Sequence, residues 1–189
     1  MPQESKIAPM SLIRDFRSRW LETAGEYQDM TARMNLSEEI CRFLEENGIK
    51  SVVIGGPPLT AELGRLLTGR VEILADFWRD SFDPRQAVEL CGRAEAGITG
   101  VDGLIAETGT LAIASRGQGD RLVSILPPVH LAVATETPVF QNMETFVRMA
   151  PNTLTYCFIT GPSRTADIEK QLVHGVHGPV RVALWGPAV

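Results

Sequence analysis

The sequence predicts an α/β fold, with one mixed, mostly parallel sheet flanked by helices. Three observations lead there. Ser51-Val52-Val53-Ile54-Gly55-Gly56 is a β-branched run bounded by glycine and proline, as a strand covered on both faces requires. Asp83-Pro84-Arg85-Gln86 supplies a cap, a first-turn proline and a capping-box partner, so a helix starts there and runs to about Glu95. Between Ile98 and Ala134, short apolar runs succeed one another with few residues between them, so some neighbouring strands are antiparallel.

Taken in chain order, Leu12, Ile13, Phe16, Trp20 and Tyr27 mark one stripe of a helix from Leu12 to about Met30. Ser37 is placed to cap a second helix through Glu45, with Ile40, Phe43 and Leu44 inward and Asn47-Gly48 ending it. After the Ser51–Gly56 strand, Thr60 begins a helix through Leu67, and Val71 to Ala75 repeats the strand pattern. Ile98-Thr99, Leu104–Ala106, Leu111–Ala114, Leu122–Ser124 and Val129–Ala134 are the short runs. Thr137 or Pro138 to Met149 reads as a helix with Phe140, Met143, Phe146 and Val147 inward, stopped by Pro151-Asn152. Thr153–Thr160 and Val180–Trp185 are the last strands.

A chain of 189 residues is long enough for one domain that buries roughly 70% of its unfolded surface. The net charge of −5 and the absence of a basic block argue against nucleic acid as a partner. Cys41, Cys91 and Cys157 stand far apart in apolar surroundings, outside any CxxC or Cys/His ligand spacing, and read as reduced packing residues. The first residues carry no signal core and no apolar run has bilayer length, so the expectation is a cytoplasmic protein with no membrane span.

Two polar clusters are candidates for chemistry. Gly161-Pro162-Ser163-Arg164-Thr165-Ala166-Asp167 follows the Thr153–Thr160 strand, at the kind of position where open α/β sheets bind ligands. Its glycine turn converges backbone N–H groups, while Ser163, Arg164 and Thr165 add donors for a carboxylate or phosphate, and Asp167 can cap or orient. The competing reading is an ordinary strand-to-helix turn capped by Thr165. Glu107-Thr108-Gly109-Thr110 sets a carboxylate beside a glycine turn, able to act as nucleophile, base or acceptor, or simply as a hairpin turn. His130, His174 and His177 are possible ligand-binding or structural groups; no carboxylate spacing completes a metal set, so no metal is assigned. Gly55-Gly56-Pro57-Pro58 can admit a ligand close to the backbone, and Gly117 to Arg121 suits a mobile hairpin tip. Neither contains a dinucleotide fingerprint.

The segments Ile98 to Thr110, Leu126-Pro127-Pro128-Val129-His130, Gly161 to Glu169 and Leu172 to Pro179 together resemble the lactate-utilisation (LUD) domain family, and within it the protein C type. The resemblance covers roughly residues 35 to 185 and marks residues 1–34 as a variable helical leader ahead of an α/β domain over residues 35–189. It implies a three-layer, Rossmann-like fold similar to the sugar-phosphate isomerase and CoA-transferase group. It also implies participation in oxidising L-lactate to pyruvate as an accessory subunit. The iron–sulfur clusters would sit on iron–sulfur and Cys-rich partner proteins, and this chain would carry no cofactor of its own. Its expected ligand is a small anion or a partner's cofactor, held by Thr108, Gly109, Thr110, Gly161, Ser163, Arg164, Thr165 and Asp167. By analogy with CoA-transferases, the alternative is an independent acyl- or phosphate-ligand transferase or ligase with Glu107 as the reactive carboxylate. A third possibility is an adaptor that docks a partner through Phe16 and Trp20 of the leading helix.

Overall fold

The computed structural model describes residues 9–31, 34–56, 63, 67–77, 79–117, 119–166, 172–174 and 178–189. In chain order its elements are α1 (Met10–Glu22), β1 (Glu26–Met30), α2 (Leu36–Glu46), β2 (Ser51–Gly55), β3 (Glu72–Asp76), α3 (Pro84–Arg93) and β4 (Ala96–Gly100). There follow β5 (Gly103–Ile105), β6 (Thr110–Ser115), a 3-10 turn (Asp120–Ser124), β7 (Val129–Val133), β8 (Val139–Phe140) and α4 (Met143–Met149). The last four are β9 (Thr155–Ile159), β10 (Arg164–Ala166), β11 (Leu172–His174) and β12 (Arg181–Pro187).

Val52, Val53 and Ile54 are all buried, because β2 is an inner strand with cover on both faces. Six strands lie in the order β1-β12-β7-β4-β2-β3, every pair parallel. Side chains alternate between the two faces. On one, Val52, Ile54, Ile98, Leu131, Val133 and Trp185 pack beneath Ile40, Phe43 and Leu44 of α2. On the other, Val53 joins Ala75, Cys91 of α3 and Val123 of the 3-10 turn. Further along that second face, Ala132, Val182 and Leu184 meet Phe16 and Trp20 of α1 together with Leu104 and Leu111. This is the expected three-layer α/β architecture. The antiparallel pairing is confined to smaller sheets, one ordered β8-β5-β6-β9 and one joining β10 to β11. Phe146 of α4 covers the former, edge-on to Phe140 and Tyr156 at ring distances of 5.2 and 5.1 Å.

The helix expected from Leu12 to Met30 ends at Glu22. Ala24 takes a left-handed φ of 63°, which ends the helix, and Glu26–Met30 then pairs with β12 as an edge strand. Trp20 Nε1 donates to the Glu26 carbonyl at 2.8 Å, and the Tyr27 hydroxyl donates to the Pro187 carbonyl at 2.7 Å. Phe16 and Trp20 are therefore core residues of this chain and are not available to a partner. The helix and strand within residues 1–34 share a core with the rest.

Other boundaries moved for local reasons. Asn35, not Ser37, caps α2, its side chain accepting from the Ser37 and Glu38 amides at 3.0 and 3.4 Å. Leu122–Ser124 is in the 3-10 turn, not a strand. The helix expected from residue 137 or 138 begins only at Met143, where Asn142 accepts from the Thr145 amide at 2.9 Å. Phe140 belongs to β8, and Val147, expected inward, faces solvent. The Asp83 capping box forms as expected. The helix expected over Thr60–Leu67 falls mostly outside the described residues, although Leu63 and Leu67 are buried.

Burial pushes the Cys91 thiol up to about 12, which leaves almost no thiolate at neutral pH. Cys91 should therefore resist iodoacetamide at pH 8 in the folded protein and react once urea unfolds it. Peptide mass spectrometry reads this, and rapid native labelling would show that α3 does not shield it.

Candidate functional site

Adjacent strands β2 and β4 of the parallel sheet end beside a cleft lined by Gly55, Gly56, Thr99, Ile113, Ala114, Ser115 and Arg121. The carboxyl edge of an open parallel sheet is the usual ligand position in this architecture. The enclosed part of the cleft is about 10 Å³, roughly the space of one water, and the remainder opens to solvent. Its far wall is the end of β6, held by Asp102, which accepts from the Ala114 amide at 2.7 Å and pairs with Arg116. Arg121 is presented by the 3-10 turn, where the Leu122 amide donates to the Gly119 carbonyl at 2.9 Å and the Ser124 hydroxyl to the Arg121 carbonyl at 3.0 Å.

Thr99 is buried, and its Oγ1 lies 2.8 Å from Nε2 of His130 on the neighbouring strand β7. His130 has no exposed surface, and among the described residues its Nδ1 has no hydrogen-bond partner. Burial lowers the imidazole pKa from 6.5 to about 3, so the ring is neutral across the physiological range. His130 is thus linked to the cleft through Thr99.

The Glu107 turn and the Gly161 loop adjoin one another elsewhere. Thr108 Oγ1 lies 2.7 Å from Thr110 Oγ1, which lies 2.8 Å from Thr160 Oγ1, so a chain of three hydroxyls runs from the first turn to the residue before Gly161. Both glycines press on the end of α1. A Cβ at Gly109 (φ 62°) would sit 2.5 Å from the Trp20 amide nitrogen, and one at Gly161 (φ 81°) 2.5 Å from Thr23 Oγ1. Only glycine fits either place. Glu107 is exposed, and its amide donates to the Gln141 carbonyl at 3.0 Å.

This pair of loops does not lie at the carboxyl edge of the parallel sheet, as their position after a strand had suggested. The strand before Gly161 is β9, a member of the antiparallel sheet. Thr23 precedes β1, and the Ser163 amide donates at 2.8 Å to the carbonyl of Pro179, which precedes β12; both contacts belong to the amino edge. Arg164–Ala166 is extended and pairs with Leu172–His174, so Thr165 begins no helix. Only the backbones of Arg164, Thr165 and His174 are described; Asp167 and His177 lie outside the described residues. Among the described residues, no group of three or more His, Cys, Asp or Glu is placed to hold a metal ion, and no helix is long and apolar enough to cross a membrane.

The sequence profile of the LUD domain matches residues 29–184. The chain belongs to the LUD domain family. That span runs from the last residues of β1 into β12 and takes in both polar loops. Curated relatives of this LUD chain include proteins described as "Lactate utilization protein C". The one from Geobacillus thermodenitrificans is 34% identical over 89% of this chain and 83% of its own length. The one from Halalkalibacterium halodurans is 33% identical over 77% and 66%, and the one from an Exiguobacterium species 39% identical over 56% and 50%. Matches to these last two span half to two-thirds of the relatives' length. A crystal structure described as a DUF162 family protein from Deinococcus radiodurans is 23% identical, with a TM-score of 0.66 over 95% of this chain and 98% of its own; it supports the fold.

Thr99 and Arg121 stood outside the two polar clusters that drew attention in the sequence. The available signal was Gly55-Gly56 after the clearest parallel strand, since ligand sites in such sheets follow the inner strands. Arg121 closed a second glycine-rich segment whose destination no local pattern disclosed.

Proposed function

We propose that this LUD domain serves in lactate utilisation as an accessory subunit of an L-lactate-oxidising system, and that it holds a small carboxylate in the cleft at the carboxyl edge. The observation that carries the reading is the meeting of Arg121, the Thr99 hydroxyl and two glycines at the ends of adjacent parallel strands. A guanidinium pairs a carboxylate with two parallel hydrogen bonds, and glycine lets the ligand approach the backbone. Support for lactate as the pathway comes from the relatives described as lactate utilization protein C. In this reading the electrons pass through iron–sulfur and Cys-rich partner proteins, while this chain binds and orients the anion.

Arg121→Ala should weaken calorimetric binding of L-lactate or pyruvate about 10- to 100-fold, the value of a lost charge-assisted hydrogen bond. Arg121 is exposed, so the unfolding midpoint should not move. The variant should also fail to restore growth on L-lactate to a strain lacking the gene. Unchanged affinity and full growth would reject the reading.

A second reading treats the chain as an independent transferase or ligase acting on an acyl- or phosphate-bearing molecule, with Glu107 reacting. The exposed carboxylate beside the Thr108–Thr110–Thr160 hydroxyl chain favours it. In that case acyl-CoA donors should add mass to the chain at Glu107, whereas an unmodified intact mass removes the idea.

A further inference from the structure

The buried Thr99–His130 pair carries an inference about which ligand atoms the cleft accepts. A neutral imidazole has one N–H and one bare nitrogen, and among the described residues only Nε2 has a partner, the Thr99 hydroxyl at 2.8 Å. Two arrangements are open. If Nδ1 held the proton, Thr99 would donate to Nε2 and a buried N–H would be left with no acceptor. If Nε2 holds it, Nε2–H donates to Thr99 Oγ1 and the orphan is a bare acceptor nitrogen. Unpaired buried N–H groups are rarer and costlier than underused acceptors. The second arrangement is therefore favoured.

The consequence falls on Thr99. Its oxygen accepts from His130, so its own proton is free to point elsewhere, and the residue lines the cleft. We propose that His130 is a positioning residue that, as the Nε2–H tautomer, turns the Thr99 hydroxyl into a fixed donor aimed into the cleft, selecting a ligand oxygen that accepts. This rests on the cleft being the ligand site. A carboxylate or keto oxygen meets the requirement, since either accepts from the Thr99 hydroxyl while Arg121 neutralises the charge. The burial that keeps His130 neutral also keeps this polarity constant down to mildly acidic pH.

The tautomer is read on the ligand-free protein by nitrogen-15 NMR of the imidazole. Nε2 should give the protonated resonance and Nδ1 the bare one. Pyruvate is then titrated by calorimetry into the unmodified chain and into Thr99→Val, His130→Leu, the double variant and His130→Gln. Each of the first two should lose about tenfold in affinity, and the double variant should lose no more than either alone, because both act through one hydroxyl. His130→Gln, whose amide can donate from the place of Nε2, should recover most of the affinity. A protonated Nδ1, or losses that multiply in the double variant, overturns the proposal while leaving the cleft in place. Failure of the unmodified chain to bind pyruvate removes the cleft reading and this proposal together. Should His130→Leu not fold, the tautomer measurement still decides.

Discussion

Trp20→Ala is expected to lower the unfolding free energy by about 3–5 kcal/mol, the range for emptying a large aromatic site in a core. Trp20 has no exposed surface, lies 6.3 Å from Phe16 ring to ring, and its indole N–H satisfies the Glu26 carbonyl at the start of β1. Truncation leaves a cavity among Leu104, Leu111 and Leu184, and it leaves that carbonyl without its donor. Urea denaturation of both proteins measures the difference. Deleting residues 1–34 should be worse still, because it takes away β1 as well as Phe16 and Trp20, and the remaining chain should aggregate. A truncated chain with a sharp, near-native unfolding transition would show that the segment is a detachable leader.

Acidification should destabilise the protein through His130. The unfolded chain binds a proton at this residue near pH 6.5, whereas the folded chain does so only near 3. Between those values the unfolded state holds more protons, so stability falls as the pH falls. A single residue sets a limiting slope of about 1.4 kcal/mol per pH unit in that window. Above pH 6.5 the residue is neutral in both states and contributes no slope. His130→Gln removes the titration, so the difference in stability between variant and parent should shift in the variant's favour between pH 6.5 and 4. Parallel pH curves for the two proteins would show that His130 is already charged in the folded state.

Much of this fold was readable in the sequence because the inner strands are apolar on both faces and punctuated by glycine. Val52-Val53-Ile54 and the Asp83 box needed no tertiary information. β1 reads as helix in the sequence because Tyr27 continues the spacing of Leu12, Phe16 and Trp20, while the break at Ala24 rests on a backbone angle that alanine does not advertise. Val139–Phe140 was too short to register and forms through pairing with β5. The candidate site was harder for the same reason. Glu107 to Thr110 and Gly161 do adjoin, but the edge of the molecule they occupy depends on β9 joining the antiparallel sheet. Thr99 and His130 are 31 residues apart and meet only because β4 pairs with β7. No local pattern encodes that contact.

The most direct test of the carboxyl-edge cleft is an amide chemical-shift map of the nitrogen-15-labelled protein titrated with pyruvate and, separately, with L-lactate. The expected result is saturable shifts centred on Gly55, Gly56, Thr99 and Arg121, lost in Arg121→Ala. Shifts centred instead on Gly109, Thr110, Thr160 and Gly161 would move the site to the opposite edge of the sheet and contradict the assignment.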